Sequence, residues 1–150
     1  MVDRRATVTL LEGGRYEIEG VAYIAGVPNV NGMIYTKKAL EKAFSRFMNL
    51  SFRPVTIGCD AEPKMATCVG EVVDWSSKGN VFRVKLKTLP FEHVSGWVKA
   101  AAGNVAIAGA CQASTVAGTV EEMTVESIEK IVSFGLVTVE EVTPREKEGL

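Results

Sequence analysis

A chain of 150 residues with a 47% apolar fraction is long enough to bury a core of its own, which excludes a largely disordered protein. Its 17 basic and 18 acidic residues nearly cancel, so no dominant phosphate-binding surface is expected, and nucleic acid is excluded as a main partner. No apolar run approaches membrane-spanning length, and Met1–Val2–Asp3–Arg4–Arg5 precedes no hydrophobic signal core; a soluble protein made inside the cell, with no membrane partner, is the expectation.

The first predicted element is a strand in YEIEGVAYIAG, residues 16–26, which alternates and is rich in β-formers. A turn follows at Pro28–Asn29 and Asn31–Gly32, where Asn tolerates left-handed backbone and Gly has no side-chain clash. Thr36 then caps a helix. Leu40, Ala43, Phe44 and Phe47 recur at helical spacing, with Lys37, Lys38, Glu41 and Lys42 toward water, and the helix ends before Pro54. Strands are expected in RPVTIG and CVGEVVDW, on either side of a loop. A hairpin turn is expected at Lys78–Gly79–Asn80, its second arm alternating Val81, Arg83, Lys85 and Lys87 against Phe82, Val84 and Leu86.

A second helix is expected in LPFEHVSGWVKAAAG, with Val94, Trp97, Val98 and Ala101 on one face and a stop at Gly103. NVAIAGACQAS and IEKIVSFGLVTVEEV return to strand composition, joined by a polar connection that includes Ser114 and Thr115. TPREKEGL, residues 143–150, reads as a fraying tail. The order predicts one α+β domain over residues 1–150. No repeat or linker interrupts it.

Chemistry-bearing residues are sparse. Cys59, Cys68 and Cys111 cannot all pair within one chain and lack the close spacing of a disulfide framework or a zinc ribbon, so they read as reduced, partly buried thiols. With His93, the single histidine, they would supply a zinc set only without the usual C-x-x-C knuckle, and no metal or cofactor is expected. Asp60 and Glu62 in one loop offer too few oxygens for a hard cation and read as a solvated acidic turn. His93 reads as a polar helix-start residue.

The segment EGVAYIAGVPNVNGMIYTKKALEKAF resembles the opening of the prohead proteases of tailed bacteriophages, with Asn29, Asn31, Gly32 and Tyr35 in the pattern N-x-N-G-[R]-x-Y and Met33 at the arginine position. The likeness continues through the loop near Asp60, VGEVVDW, TLPFEHVSGWVKAAAGNVAIAG and IVSFGLVTVEEV, in the same order over most of residues 16–142. It implies a herpesvirus-assemblin-like fold, a small β-barrel-like mixed sheet with flanking helices, and an ancestry in serine proteases that cut scaffold and shell proteins. By itself the N-x-N-G segment reads as a strand-to-helix connection without chemistry.

Such chemistry needs a histidine base beside a serine, because a neutral hydroxyl must lose its proton as it attacks. At the family's L-D-H-P this chain reads CDAEP, which puts Ala61 at the base; at G-V-S-S-R-G it reads VAIAGACQ, which puts Ala108, or next Ala110, at the nucleophile. The aspartate of S-F-D-L-V is Gly135, and the S-S-R-G arginine has no equivalent near Cys111. Strand alternation sends Cys111 to the face opposite Ala108. No catalytic residues are therefore expected.

These departures imply a protease-fold pseudoenzyme of the virion, assembled in the host cytoplasm and binding the major capsid protein or another virion component in a decoration, cement or assembly role. Homo-oligomerisation is compatible with that role. The alternatives are an active or alanine-inactivated prohead serine protease cleaving scaffold and capsid proteins, and a small metal- or ligand-binding module.

Overall fold

The structure is a computed structural model that describes residues 2–119 and 122–144. Eight strands form one mixed sheet: β1 (Thr7–Leu10), β2 (Tyr16–Ile24), β3 (Met33–Tyr35), β4 (Pro54–Ile57), β5 (Gly70–Lys78), β6 (Val81–Thr88), β7 (Val105–Gly118) and β8 (Met123–Thr138). Helices α1 (Lys37–Met48), α2 (Glu92–Ala101) and α3 (Val139–Val142) complete the α+β architecture. The strand order is β1-β2-β6-β5-β4-β8-β3, and β7 pairs along the other edge of β8.

The predicted helix begins where expected. Thr36 Oγ1 accepts from the Ala39 N–H at 3.2 Å, and Ala39, Leu40, Ala43, Phe44 and Phe47 are buried. Lys78 pairs with Val81 across a two-residue turn in which Gly79 has φ 59°, the left-handed backbone such turns require. The β6 alternation holds throughout, with Phe82, Val84, Leu86 and Thr88 buried and the cationic positions half-buried. Glu19 lies 3.9 Å from both Arg83 and Lys85, pairs worth about 0.2–1 kcal/mol each at an exposed sheet surface.

Three sequence expectations change. A strand, β1, precedes the predicted first strand and pairs with it from Thr7–Glu19 to Leu10–Tyr16. Ser114 and Thr115 lie inside strand β7 rather than in a polar connection: β7 and β8 form one long hairpin, and the polarity marks an exposed strand. The strand reading of residues 128–142 ends at Thr138, because Glu141 Oε2 accepts from the Thr138 N–H at 2.7 Å and starts the short α3. The second helix stops slightly before Gly103, with Ala102 already left-handed at φ 49°. The predicted tail lies mostly outside the described residues, which include only Thr143 and Pro144 of it.

Strands β3 and β4 lie along the same edge of β8, parallel to it, at residues 123–125 and 134–136, and α1 spans the interval between them. There Arg46 donates to the Ile128 carbonyl at 2.8 Å, where neither β3 nor β4 supplies a ladder partner. The core gathers under α1. Phe44 stacks on Trp75 at 5.0 Å and Phe82 at 5.5 Å, and contacts the rings of Tyr23 at 5.9 Å and Phe134 at 5.7 Å. Val94 is the buried anchor of α2, with Trp97, Val98 and Ala101 partly buried against the same core.

Because Phe44 joins α1 to β2, β5, β6 and β8 at once, Phe44→Ala is expected to destabilise the protein by about 3–5 kcal/mol, read as a shifted midpoint in chemical denaturation. A loss below about 1 kcal/mol would show that the surrounding rings close over the gap.

Candidate functional site

A cavity of about 300 Å³ opens where β2, the N-x-N-G turn, the end of β4, β7 and α3 meet. The turn is built as its residue types dictate. Asn29 Oδ1 accepts from the N–H groups of Asn31 at 2.9 Å and Met33 at 3.0 Å, and Gly32 has φ 77°. This delivers Tyr35 at the end of β3 into the interior, where its ring meets Tyr23 edge-on at 5.2 Å. Asn29, Asn31, Tyr23 and Tyr35 all line the cavity.

The opposite wall is main chain. Gly109 lies flat against the Tyr23 ring, and Gly135 abuts the Gly58 carbonyl; a Cβ at either position would collide with those atoms. Ala108 lines the cavity and pairs with Gly135 across the β7–β8 ladder, packing with Ala106, Val137 and Val142 on the face opposite the main core. Cys111 belongs to the other face, packed against the main core, and its thiol donates to Tyr35 Oη at 3.6 Å.

The positions singled out in the sequence are only partly brought together. Ala108 reaches the cavity with Asn29, Asn31 and Tyr35, whereas exposed Ala61 lies in the β4–β5 loop and does not line it. Asp60 Oδ1 accepts from the Glu62 N–H at 2.9 Å, so that carboxylate organises its own loop, while buried Ser133 donates to the Asp60 carbonyl at 2.7 Å. His93 stands elsewhere, its ring stacked on Phe91 at 5.4 Å. Gly135 is occupied by backbone packing, which leaves no room for a carboxylate there. Among the described residues, no three His, Cys, Asp or Glu side chains gather to hold a metal ion.

Four cavity residues carried no sequence signal of this role: Arg4, Tyr23, Cys59 and Glu141. Arg4 Nη2 donates to the carbonyls of Ala22 and Ile107, each at 3.3 Å, bridging β2 and β7. Burial raises the pKa of Tyr23 well above the usual phenol range, with the neighbouring Cys111 adding to it; burial and then Cys111 also raise Tyr35. Cys59 is exposed, not partly buried as its sequence context suggested, yet partial desolvation of its thiol at the cavity wall and then the Glu141 carboxylate push its pKa up. Tyr23, Tyr35 and Cys59 are thus all shifted toward their neutral, protonated forms.

No protein-family model matches the chain, and no curated protein matches it in sequence. Among solved structures it is similar to that of the bacteriophage T4 capsid assembly protease, gp21, with a TM-score of 0.67 and 21% identity over 89% of this chain and 87% of that one. The two share a fold. The α+β mixed sheet with flanking helices expected from the prohead-protease resemblance is therefore present, and the likeness is one of architecture.

Two outcomes follow from this geometry. Alkylation of Cys59 should rise with pH through a midpoint above the ordinary thiol value of about 8.5, and Glu141→Gln should lower that midpoint; a midpoint at or below the ordinary value would contradict the arrangement. Gly135→Asp should destabilise the fold by about 3 kcal/mol or more, because its Cβ meets the Gly58 carbonyl, whereas a near-neutral effect in thermal melts would show that the β4–β5 loop yields.

Proposed function

We propose that this chain is a catalytically inactive protein of protease fold that acts on a viral capsid by binding, as a decoration, cement or assembly component. The observation that carries the reading is the composition of the cavity wall. Ala108 stands where the resemblance expects the serine, and the cysteine among the cavity-lining residues, Cys59, has its pKa raised by desolvation and the Glu141 carboxylate and lacks a histidine partner. A nucleophile without a base in reach remains neutral and slow.

What supports the capsid as partner is the fold shared with a phage capsid assembly protease, together with the ordered sequence resemblance over most of residues 16–142. That support is by analogy of fold. The test is direct: purified protein is mixed with the capsid and scaffold proteins of its own virus, and both sedimentation with the particles and cleavage are followed. Co-sedimentation without cleavage is expected. Specific cleavage products that disappear on mutating Cys59, Cys111 or His93 would overturn the reading.

The alanine-inactivated alternative predicts that two side chains restore activity. What supports the inactive reading over it is that Ala61, in the exposed β4–β5 loop, is not among the residues lining the cavity that Ala108 faces, whereas a base must come within about 2.6–3.2 Å of the nucleophile. The Ala61→His/Ala108→Ser variant is expected to fold, at a cost of about 1–2 kcal/mol, and to leave a capsid-derived peptide uncut. Strong cleavage by the double variant alone would establish a recently disabled protease.

A further inference from the structure

Residues 4–10 lie across β2 and β7, two strands that have no ladder between them. From Thr7 to Leu10 the segment is an outer strand on β2, paired from Thr7–Glu19 to Leu10–Tyr16. Before Thr7 it crosses to β7: the Ala6 N–H donates to the Val105 carbonyl at 2.8 Å, and Arg4 Nη2 donates to the carbonyls of Ala22 and Ile107, each at 3.3 Å. Arg4, Ala6 and Val8 alternate inward between exposed neighbours, yet even these three are only half-buried. Ala6 rests on Gly20, where a Cβ would stand 3.0 Å from that of Ala6.

The segment and its seat are separable. The seat is main chain: the edge of β2, the bare face of Gly20, and the carbonyls of Ala22, Val105 and Ile107. The segment buries no side chain fully, which places it at the weakly held end of the fold, and its release rehydrates an Arg4 guanidinium whose pKa burial lowers. It joins the body through a turn closed by the Leu11 N–H on the Arg15 carbonyl at 2.8 Å. Within that turn Gly13 and Gly14 both have φ 76°, with open space around Gly13 and only Pro90 beside Gly14. Such a hinge can straighten without disturbing the sheet.

Once the segment is released, the seat is an open strand edge that an extended chain of the right pattern can fill. An occupant must set a small residue on Gly20 and, two positions earlier, an arginine that reaches Ala22 and Ile107. The Arg4-x-Ala6-x-Val8 run of another copy meets both demands, because that same run already sits in this seat.

We propose that residues 2–10 are an exchangeable arm and that the seat on β2 and β7 takes the same arm from a second copy of the chain, giving a two-fold dimer in which each copy supplies the other's Arg4, Ala6 and β1. Closed monomer and exchanged dimer make the same arm contacts, so hinge geometry and concentration set the balance between them. The exchange involves only copies of this chain and is independent of the capsid-binding reading.

Two full-length variants, Thr9→Cys and Glu17→Cys, test it, because Thr9 and Glu17 are direct partners in the β1–β2 ladder and neither variant alone holds both new thiols. Mixed under mild oxidation, they are expected to form a disulfide-linked heterodimer at least tenfold above either variant alone. The same excess is expected over Thr9→Cys mixed with Glu71→Cys, an exposed position on β5. Cys59, exposed in every sample, sets the background. Deleting Gly13 and Gly14 keeps the arm from folding back on its own β2 and should move the monomer–dimer midpoint, read by light scattering, to at least tenfold lower concentration. A heterodimer yield no greater than the controls would overturn the proposal whether or not the deletion variant folds. A folded deletion variant with an unchanged midpoint would overturn it as well.

Discussion

A main-chain carbonyl left without a donor inside a protein costs about as much as a lost hydrogen bond, and a curled sheet that changes partners along its strands produces such carbonyls wherever a ladder breaks. In this protein four arginines meet that demand. Arg4 bonds Ala22, the residue at the β2 register shift; Arg53 bonds Val72 at the β5 shift; Arg46 bonds Ile128 between β3 and β4; and Arg15 bonds Thr88 at the end of β6. The long guanidinium can reach a carbonyl across a gap that backbone cannot close. Each of these four carbonyls thereby becomes a fixed point of the fold.

The same constraint locates the cavity. The β2 register shift against β6 falls at Ala22, a residue of the cavity wall, and Arg4 bridges from there to Ile107 of β7. Below it, Gly109 admits the Tyr23 ring against the backbone of β7, and Gly135 admits the Gly58 carbonyl against β8. Walls made of main chain allow little freedom to exchange side chains. Close packing of this kind favours a shape kept in detail over one easily rebuilt.

Elements whose burial follows local period were legible in the sequence: Thr36 and the Leu40, Ala43, Phe44, Phe47 stripe mark α1, and the two-residue turn at Gly79–Asn80 marks the β5–β6 hairpin. Elements defined by distant partners were not. Strand β1 is four residues whose identity comes from β2, and the outer half of the β7–β8 hairpin is exposed, so Ser114 and Thr115 carry loop-like polarity while their backbone is paired. The site divides the same way. The N-x-N-G turn is local chemistry and could be read, whereas Arg4 reaches the carbonyl of Ile107 across 103 positions of sequence, which no spacing rule registers.

On the proposed reading, the contrast between binding and catalysis rests on how many features each requires. Hydrolysis by a serine needs a nucleophile, a base in contact with it and donors aimed at the developing oxyanion, all held together. Here the alanine at the nucleophile position lines the cavity, the alanine at the base position does not, and the position of the third carboxylate is filled by backbone contact with Gly58. Regaining such a site would require all three features at once. A binding role asks for none of this, because an outer surface that recognises a partner depends on the sheet and helices, and those are intact.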